Sequence, residues 1–326
     1  RTSKNPKHAF AFKTVLDDQI VESKVVNVIW SPSKDGYLKP KVQIQPVKLG
    51  GAVIQYATLH NAEFVIKNKI GLGAVVQIIR SGDVIPKVEK VIKPASNIKM
   101  PTEYEFKWNS TKKDLILINS EDNDIVKLKK YDDFFNKLDV IGLGRGNIQR
   151  IMNAGFKTIP QILTMTIQDF MKVEGFKEKM STKVYNSIHK KLDNVALPNL
   201  MAASNIFGRG LGTKRIIAII DEYPDILTSK DNDKEKLNKI LQIDGFKDKT
   251  AMLFIPYIPK FIKFLKDIKQ TDKLNQSVVK NVDKSHPLYN KKIVITGFRD
   301  KELQQNLENI GVKLGTSVSK KTFVVL

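Results

Sequence analysis

The sequence predicts a multidomain chain: a small β-barrel, then an all-α domain of four helical hairpins, then the opening of an α/β domain. Three observations predict it. Residues 22–90 carry short alternating strands punctuated by Gly36, Gly50, Gly51 and Gly82, the pattern of a small barrel. From 127 to about 270 the pattern turns helical around four glycine-centred turns. Residues 291–326 read as strand, helix, strand, strand.

The chain has 326 residues, enough for two or three domains, and its 41% hydrophobic content can fill their cores. Its formal net charge is +21 and its pI is about 9.7. Such a field favours polyanions without any reading of sequence. The lysine excess, with frequent Ile and Asn, is also what an AT-rich genome would write. There is no Cys, which excludes disulfides and thiolate metal sites. Four His without a close pair argue against a structural zinc centre. No apolar run approaches a membrane span and no signal peptide is visible, so a cytoplasmic protein with no membrane partner is expected. The chain begins with Arg1 and reads as a fragment, a processed product or an incomplete reading frame.

Residues 1–13, RTSKNPKHAFAFK, form a candidate strand. His8, Phe10 and Phe12 share one face; Lys7, Ala9, Ala11 and Lys13 share the other, so both cations can face one anion. An exposed basic strand fits the same pattern. In the barrel, Lys41-Val42-Gln43-Ile44-Gln45 alternates as a strand should. Residues 57–86 read as strand, polar elbow, strand and tight turn. The β-branched run Ala74–Ile79 reads as a buried strand. Arg80 follows, then the turn Ser81-Gly82-Asp83, then Val84-Ile85-Pro86. A guanidinium and a small apolar tip thus stand together at a strand end, which suits holding a phosphate and pressing a wedge against nucleic acid. An ordinary hairpin with an exposed Arg also accounts for it. Residues 99–126 are expected to be a connector with two strands, around Phe106-Lys107-Trp108 and Leu115–Ile118.

In the helical part the turns are Ile141-Gly142-Leu143-Gly144, Val173-Glu174-Gly175-Phe176, Gly210-Leu211-Gly212 and Ile243-Asp244-Gly245-Phe246. Gly142 to Gly175 spans 33 positions and Gly212 to Gly245 again spans 33, which suggests two pairs of similar units. Thr166 with Asp169 makes a capping-box pattern, and Pro160 suits a first helical turn. The period alone also allows a solenoid; the tight apolar–Gly–apolar turn entering a second helix argues for helix–hairpin–helix units. Gly lets the backbone turn tightly and approach a ligand, and the next helix offers unpaired N–H groups and a positive dipole end. Each hairpin can therefore grip one phosphate without reading bases. Arg145, Lys177, Lys214, Arg215 and Lys247, just beyond the turns, add charge. Gly helix caps in a plain bundle are the alternative. Residues 270–290 are polar and read as a linker.

The segments GYLKPKVQIQPV at 36–47, ATLHN at 57–61 and IGLGAVVQIIRSGDVIPKV at 70–88 resemble the OB-fold domain of NAD-dependent, bacterial-type DNA ligases in order and spacing as well as in letters. The resemblance implies a division of the chain into the end of an adenylation domain (1–15), an OB-fold (16–98), a connector in place of a four-Cys zinc module (99–126), a helix–hairpin–helix domain (127–269), a linker (270–290) and a partial BRCT domain (291–326). It implies an enzyme that seals nicks in double-stranded DNA during replication and repair, with NAD as adenylyl donor and Mg2+ assisting phosphoryl transfer. With every Cys gone, no zinc is expected. The resemblance implies that Lys13 contacts the adenylate phosphate, with Lys7 where the family has Arg and His8 where it has an aromatic. It implies DNA contacts from Lys34, Arg80, Val84 and Ile85. Its four hairpins coincide with the glycine turns, where Gly142, Gly144, Arg145, Gly175, Lys177, Gly212, Lys214, Gly245 and Lys247 are the candidate DNA-binding residues. Lys247 stands where a second Gly is common, and the Gly-rich run 208–212 is unusual. His60 matches the family, but its chemistry suggests no role. A BRCT partner is not readable.

The sequence also departs from the family. No K-x-D-G occurs, so the lysine that attacks the adenylyl phosphate is missing; Lys34-Asp35-Gly36 lacks the intervening residue. The strand motif D-G-V-V-h-K is missing too. The chain is therefore expected to be the DNA-encircling C-terminal portion of a divergent, viral-type ligase, unable to adenylate itself. Its compartment would be a bacterial or host cytoplasm or a viral factory. A stand-alone, non-catalytic DNA-binding adaptor derived from a ligase is the alternative. A single-strand-binding OB protein is less suited, because the barrel has only Trp30, Tyr37, Tyr56 and Phe64 to stack bases.

Overall fold

The structure, a computed structural model, describes residues 20–81, 85–276, 285–298, 300–315, 318 and 322–326. Its first unit is a closed five-stranded barrel. The strands are β1 (Ile20–Pro32), β2 (Tyr37–Leu49), β3 (Ala52–Thr58), β4 (Val75–Ser81) and β5 (Ile85–Lys93). They run in the order β1-β4-β5-β3-β2, and β2 returns to pair with β1. All pairings are antiparallel except β3 with β5, where Thr58 lies opposite Lys87. Thr58 secures that closing contact by donating its hydroxyl to the Pro86 carbonyl at 3.1 Å.

Alternation sets the barrel core. Leu38, Val42, Ile44, Val76, Ile78 and Val88 point inward with Trp30 and are buried. The run read as a buried strand alternates: Ala74, Val76 and Ile78 are inside, while Val75, Gln77 and Ile79 are partly exposed. The expected elbow after β3 contains a short helix, α1 (Ala62–Lys67). Asn61 starts it by accepting the Phe64 amide at 2.8 Å, which gives the Asn of ATLHN a capping role. His60 is exposed and meets Phe64 edge to face at 4.8 Å.

The connector forms two strands as expected, β6 (Phe106–Trp108) and β7 (Leu115–Leu117). They are more than a link. β7 pairs with β2, placing Ile116 opposite Tyr37, so the hairpin extends the barrel sheet. Leu115 and Leu117 join the barrel core, each stabilising by roughly 1.5–3 kcal/mol. The Asn109 carboxamide oxygen closes the hairpin turn by accepting the amides of Lys113 and Asp114. Apolar burial and this Asn hold the segment together.

Helices follow: α2 (Asp124–Lys137), α3 (Arg145–Asn153), α4 (Ile159–Leu163), α5 (Ile167–Met171), α6 (Glu178–Asn194), α7 (Leu197–Ala203), α8 (Thr213–Glu222), α9 (Asp233–Leu241), α10 (Asp248–Ala251), α11 (Ile258–Asp267) and α12 (Lys273–Gln276). They share one core containing Phe134, Phe170, Phe207, Phe254, Phe261 and many Ile and Leu side chains. The capping box at Thr166 and the first-turn Pro160 are both present. The stretch read as a linker begins packed. Lys273 is buried, and its ammonium donates to the Asp193 and Val195 carbonyls at 3.0 and 2.9 Å. Those lie at the end of α6, where carbonyls lack helical partners.

The last described unit is a three-stranded parallel sheet, β10-β8-β9, from β8 (Lys292–Val294), β9 (Lys313–Gly315) and β10 (Thr322–Val325), with α13 (Lys301–Asn309) between β8 and β9. This is the expected strand–helix–strand–strand order around a small core of Ile293, Leu307 and Val312.

Candidate nucleic-acid interface

The four glycine turns share one geometry. Each has a Gly at positive φ, then an apolar residue directed inward, then an extended N-cap residue, then a helix. The positive-φ positions are Gly142 (+90°), Gly175 (+78°), Gly210 (+106°) and Gly245 (+84°). Leu143, Phe176 and Leu211 are buried at the next position, and Phe246 is partly buried against the same core. The N-caps are Gly144, Lys177, Gly212 and Lys247, which open α3, α6, α8 and α10. This corrects the sequence register. Gly212 is the equivalent of Gly144, and the partner of Gly245 is Gly210, so the second pair repeats after 35 positions while the first repeats after 33.

The helix starts divide by capping. Helices α1, α2, α4, α5 and α9 are capped by Asn61, Asn123, Thr158, Thr166 and Asn232, whose side chains accept first-turn amides. None of the four helices after a glycine turn has a side-chain cap. α7 and α11 also lack one, but each carries a Pro in its first turn, which removes a donor. The turn helices thus leave first-turn N–H groups facing outward beside exposed Lys177, Lys214 and Lys247.

Other candidate cations are already engaged. Arg145 grips Asp132 through Nη2 at 2.6 Å and Nε at 3.1 Å. Arg215 donates to the Gly210 carbonyl at 2.6 Å. In the barrel, Arg80 reaches back over the β2–β3 turn, where its Nη1 donates to the Gly50 carbonyl at 2.9 Å. Its buried Nε has no partner among the described residues. Gly50 and Gly51 both have positive φ, as a two-residue hairpin turn requires, and a Cβ on Gly50 would stand 2.8 Å from the guanidinium. Ile85, at the tip of the β4–β5 hairpin, is 55% exposed. Val84, Lys7 and Lys13 lie outside the described residues.

Lys34 sits in the β1–β2 turn and bridges to the helices. Its ammonium meets Asp133 at 3.0 Å and bonds the Asn205 side-chain oxygen. Asp133 also pairs with Lys137 at 2.8 Å. Burial opposes charge on Asp133, but hydrogen bonds from Lys137, Lys34 and Asn205 outweigh it and hold its pKa below the ordinary carboxylate value. Two arginines beyond the candidates complete the surface. Arg209, one residue before the third turn, lies over the Tyr37 ring at 4.6 Å and joins helices to barrel. Arg150 packs on the second turn, where a Cβ on Gly175 would lie 3.1 Å from its Nη1. The unusual Gly208–Gly212 run was a signal for Arg209; Arg150 had none.

Residues 22–99 match the model of the NAD-dependent DNA ligase OB-fold domain. The chain is 38% identical to the DNA ligase of Acanthamoeba polyphaga mimivirus, over 99% of this chain and 51% of the viral protein. It is 29% identical to the candidate DNA ligase 205R of Invertebrate iridescent virus 6, over 100% of this chain and 50% of that protein. It is 32% identical to the candidate DNA ligase 052L of Invertebrate iridescent virus 3, over 69% of this chain and 29% of that protein. The chain thus spans about half the length of the first two relatives. With a closed barrel in the matched region and this likeness along nearly the whole sequence, the chain carries an OB-fold domain of the NAD-dependent DNA ligase type and is similar to a divergent portion of the viral DNA ligases.

Proposed function

We propose that this chain is the DNA-binding clamp portion of a ligase that seals nicks in duplex DNA with NAD as adenylyl donor. The observation that carries the reading is the division among helix starts. Five starts are closed by Asn or Thr, whereas none of the four glycine-turn starts has a side-chain cap, and three of them stand beside exposed lysines. Open N–H groups, a positive dipole end and nearby ammonium groups suit backbone phosphates and read no bases. Under this reading the turns are helix–hairpin–helix units, with Gly142, Gly144, Arg145, Gly175, Lys177, Gly212, Lys214, Gly245 and Lys247 near phosphates. Lys34, Arg80 and Ile85 would engage the duplex from the barrel side, and residues 291–326 would be part of a BRCT domain. The sequence contains no K-x-D-G, so self-adenylation belongs to residues outside this chain. Among the described residues no group of three or more His, Cys, Asp or Glu is placed to hold a metal ion. No described helix is long and apolar enough to cross a membrane.

The test is fluorescence anisotropy with nicked duplex, intact duplex and single strand of equal length. The clamp reading expects nicked duplex to bind best, with affinity falling steeply as salt rises. A preference for single strand would overturn it. Arg80→Ala should weaken nicked-duplex binding by about 1–3 kcal/mol, the scale of a charge-assisted contact.

A further inference from the structure

Where the barrel meets α2, an open cleft of about 450 Å3 is lined by Lys34, Lys129, Asp132, Asp133, Lys137 and Arg145, among others. Three of these four cations already have a carboxylate. Arg145 is held by Asp132, and Lys34 and Lys137 share Asp133. Lys129 has none. Its ammonium donates to the Pro32 carbonyl at 2.5 Å and takes part in no ion pair among the described residues. It is nevertheless half-buried. Burial first, and then the nearby charges of Arg145 and Lys41, press its pKa below the ordinary lysine value. Lys41 of β2 lies over the Tyr56 ring at 4.8 Å.

A partly desolvated ammonium among like charges is costly to hold without a counter-ion. The two carboxylates of the cleft are already committed to other cations. An incoming anion would therefore offset the desolvation of Lys129 and its repulsion by two neighbours at once. Arg145, the first residue of α3, lines the cleft, and α3 has no side-chain cap at its positive end. We propose that Lys129, with Arg145, forms a phosphate site at the junction of the barrel and the first glycine turn, and that it takes a backbone phosphate of bound duplex. The site deepens the clamp reading and rests on it for the source of the phosphate. It gives the duplex a contact between the two surfaces.

Two measurements on the full chain test it. In side-chain NMR, inorganic phosphate should shift the Lys129 ε-methylene signal saturably, and the Arg145 response should be lost in Lys129→Gln. In anisotropy with nicked duplex, Lys129→Gln should weaken binding several-fold and reduce the slope of log affinity against log salt by about 0.9, the value for one phosphate contact. Lys129→Arg should keep the slope. Lys234→Gln, at an exposed position of α9, should change neither. A phosphate response with an unchanged duplex slope overturns the DNA assignment and leaves a site for a small phosphorylated ligand. No response in either measurement overturns the site. Wild-type protein that responds to phosphate but fails to bind duplex overturns the clamp reading and the DNA assignment, while the anion site stands.

Discussion

The first and second pairs of glycine turns have the same local backbone and different surroundings. In the first pair the turns are interlocked. Gly142 lies under α6, where a Cβ would stand 2.9 Å from Val184 and 3.2 Å from Met180, and Gly175 lies under Arg150 of α3. In the second pair, a Cβ on Gly210 would have its nearest neighbours at 3.9 Å, and one on Gly245 would have none within 4 Å among the described residues. The helices that follow the second turn of each pair differ too: α6 has 17 residues and α10 has 4, whereas α3 and α8, after the first turns, have 9 and 10. Positive φ at Gly is thus common to all four turns, while side chains enclose the glycines of only the first pair. In the second pair the glycines are open, and Leu211 and Phe246 anchor the turns to the core.

The strongest way to break this comparison is a β-branched residue at Gly142. Gly142→Val combines a left-handed backbone with overlap onto Val184, and each is worth about 1–3 kcal/mol. A loss of about 2–5 kcal/mol is expected in denaturant unfolding. Gly245→Ala meets open space and should cost only its backbone strain, about 1–2 kcal/mol. Equal losses at the two sites would mean that the interlock contributes nothing.

A smaller contrast tests the register of the third turn. Gly210 has φ +106° and Gly212 has φ −81° as the N-cap of α8. Gly210→Ala should therefore cost about 1–2 kcal/mol. Gly212→Ala should cost less than about 1 kcal/mol, the scale of losing a Gly cap. The reverse order would restore the register suggested by the equal spacing of 33.

That register error shows what the sequence can and cannot express. Glycine-centred turns, apolar neighbours and the helices between them are local patterns, so all four turns were legible. Which glycine of Gly208-Arg209-Gly210-Leu211-Gly212 takes positive φ depends on Leu211 being buried, and burial is a tertiary outcome. The barrel was legible because strand alternation and the turn glycines are local. Helix α1 was not: six residues between two strands are too few for periodicity to show, and only Asn61 marked its start. The candidate cations were legible as charges. Their partners were not, because Lys34 with Asp133 and Arg209 with Tyr37 join segments far apart in sequence. Lys129 gave no signal, being one lysine among many in a basic chain.

The smallest expected effect concerns the junction that ties both pairs to the barrel. Asp133 joins Lys34 of the β1–β2 turn, Lys137 of α2 and Asn205 beside the third turn. Its folded pKa is depressed, so its contribution is fully present above the unfolded value of about 3.9 and fades as pH falls through the folded value. Asp133→Asn keeps an acceptor and removes the charge. At neutral pH the variant should be less stable by up to about 1 kcal/mol, the scale of a partly exposed ion pair. The gap should begin to shrink as pH drops below about 4 and close once pH is below the folded value, where Asp133 is protonated in both states and as neutral as Asn. Denaturant midpoints for both proteins between pH 7 and pH 3 measure it. A gap that stays constant across this range would show that the charge of Asp133 does not hold the junction. The barrel would then be tied to the helices by the Arg209–Tyr37 stack and by Val126, which α2 inserts into the barrel core.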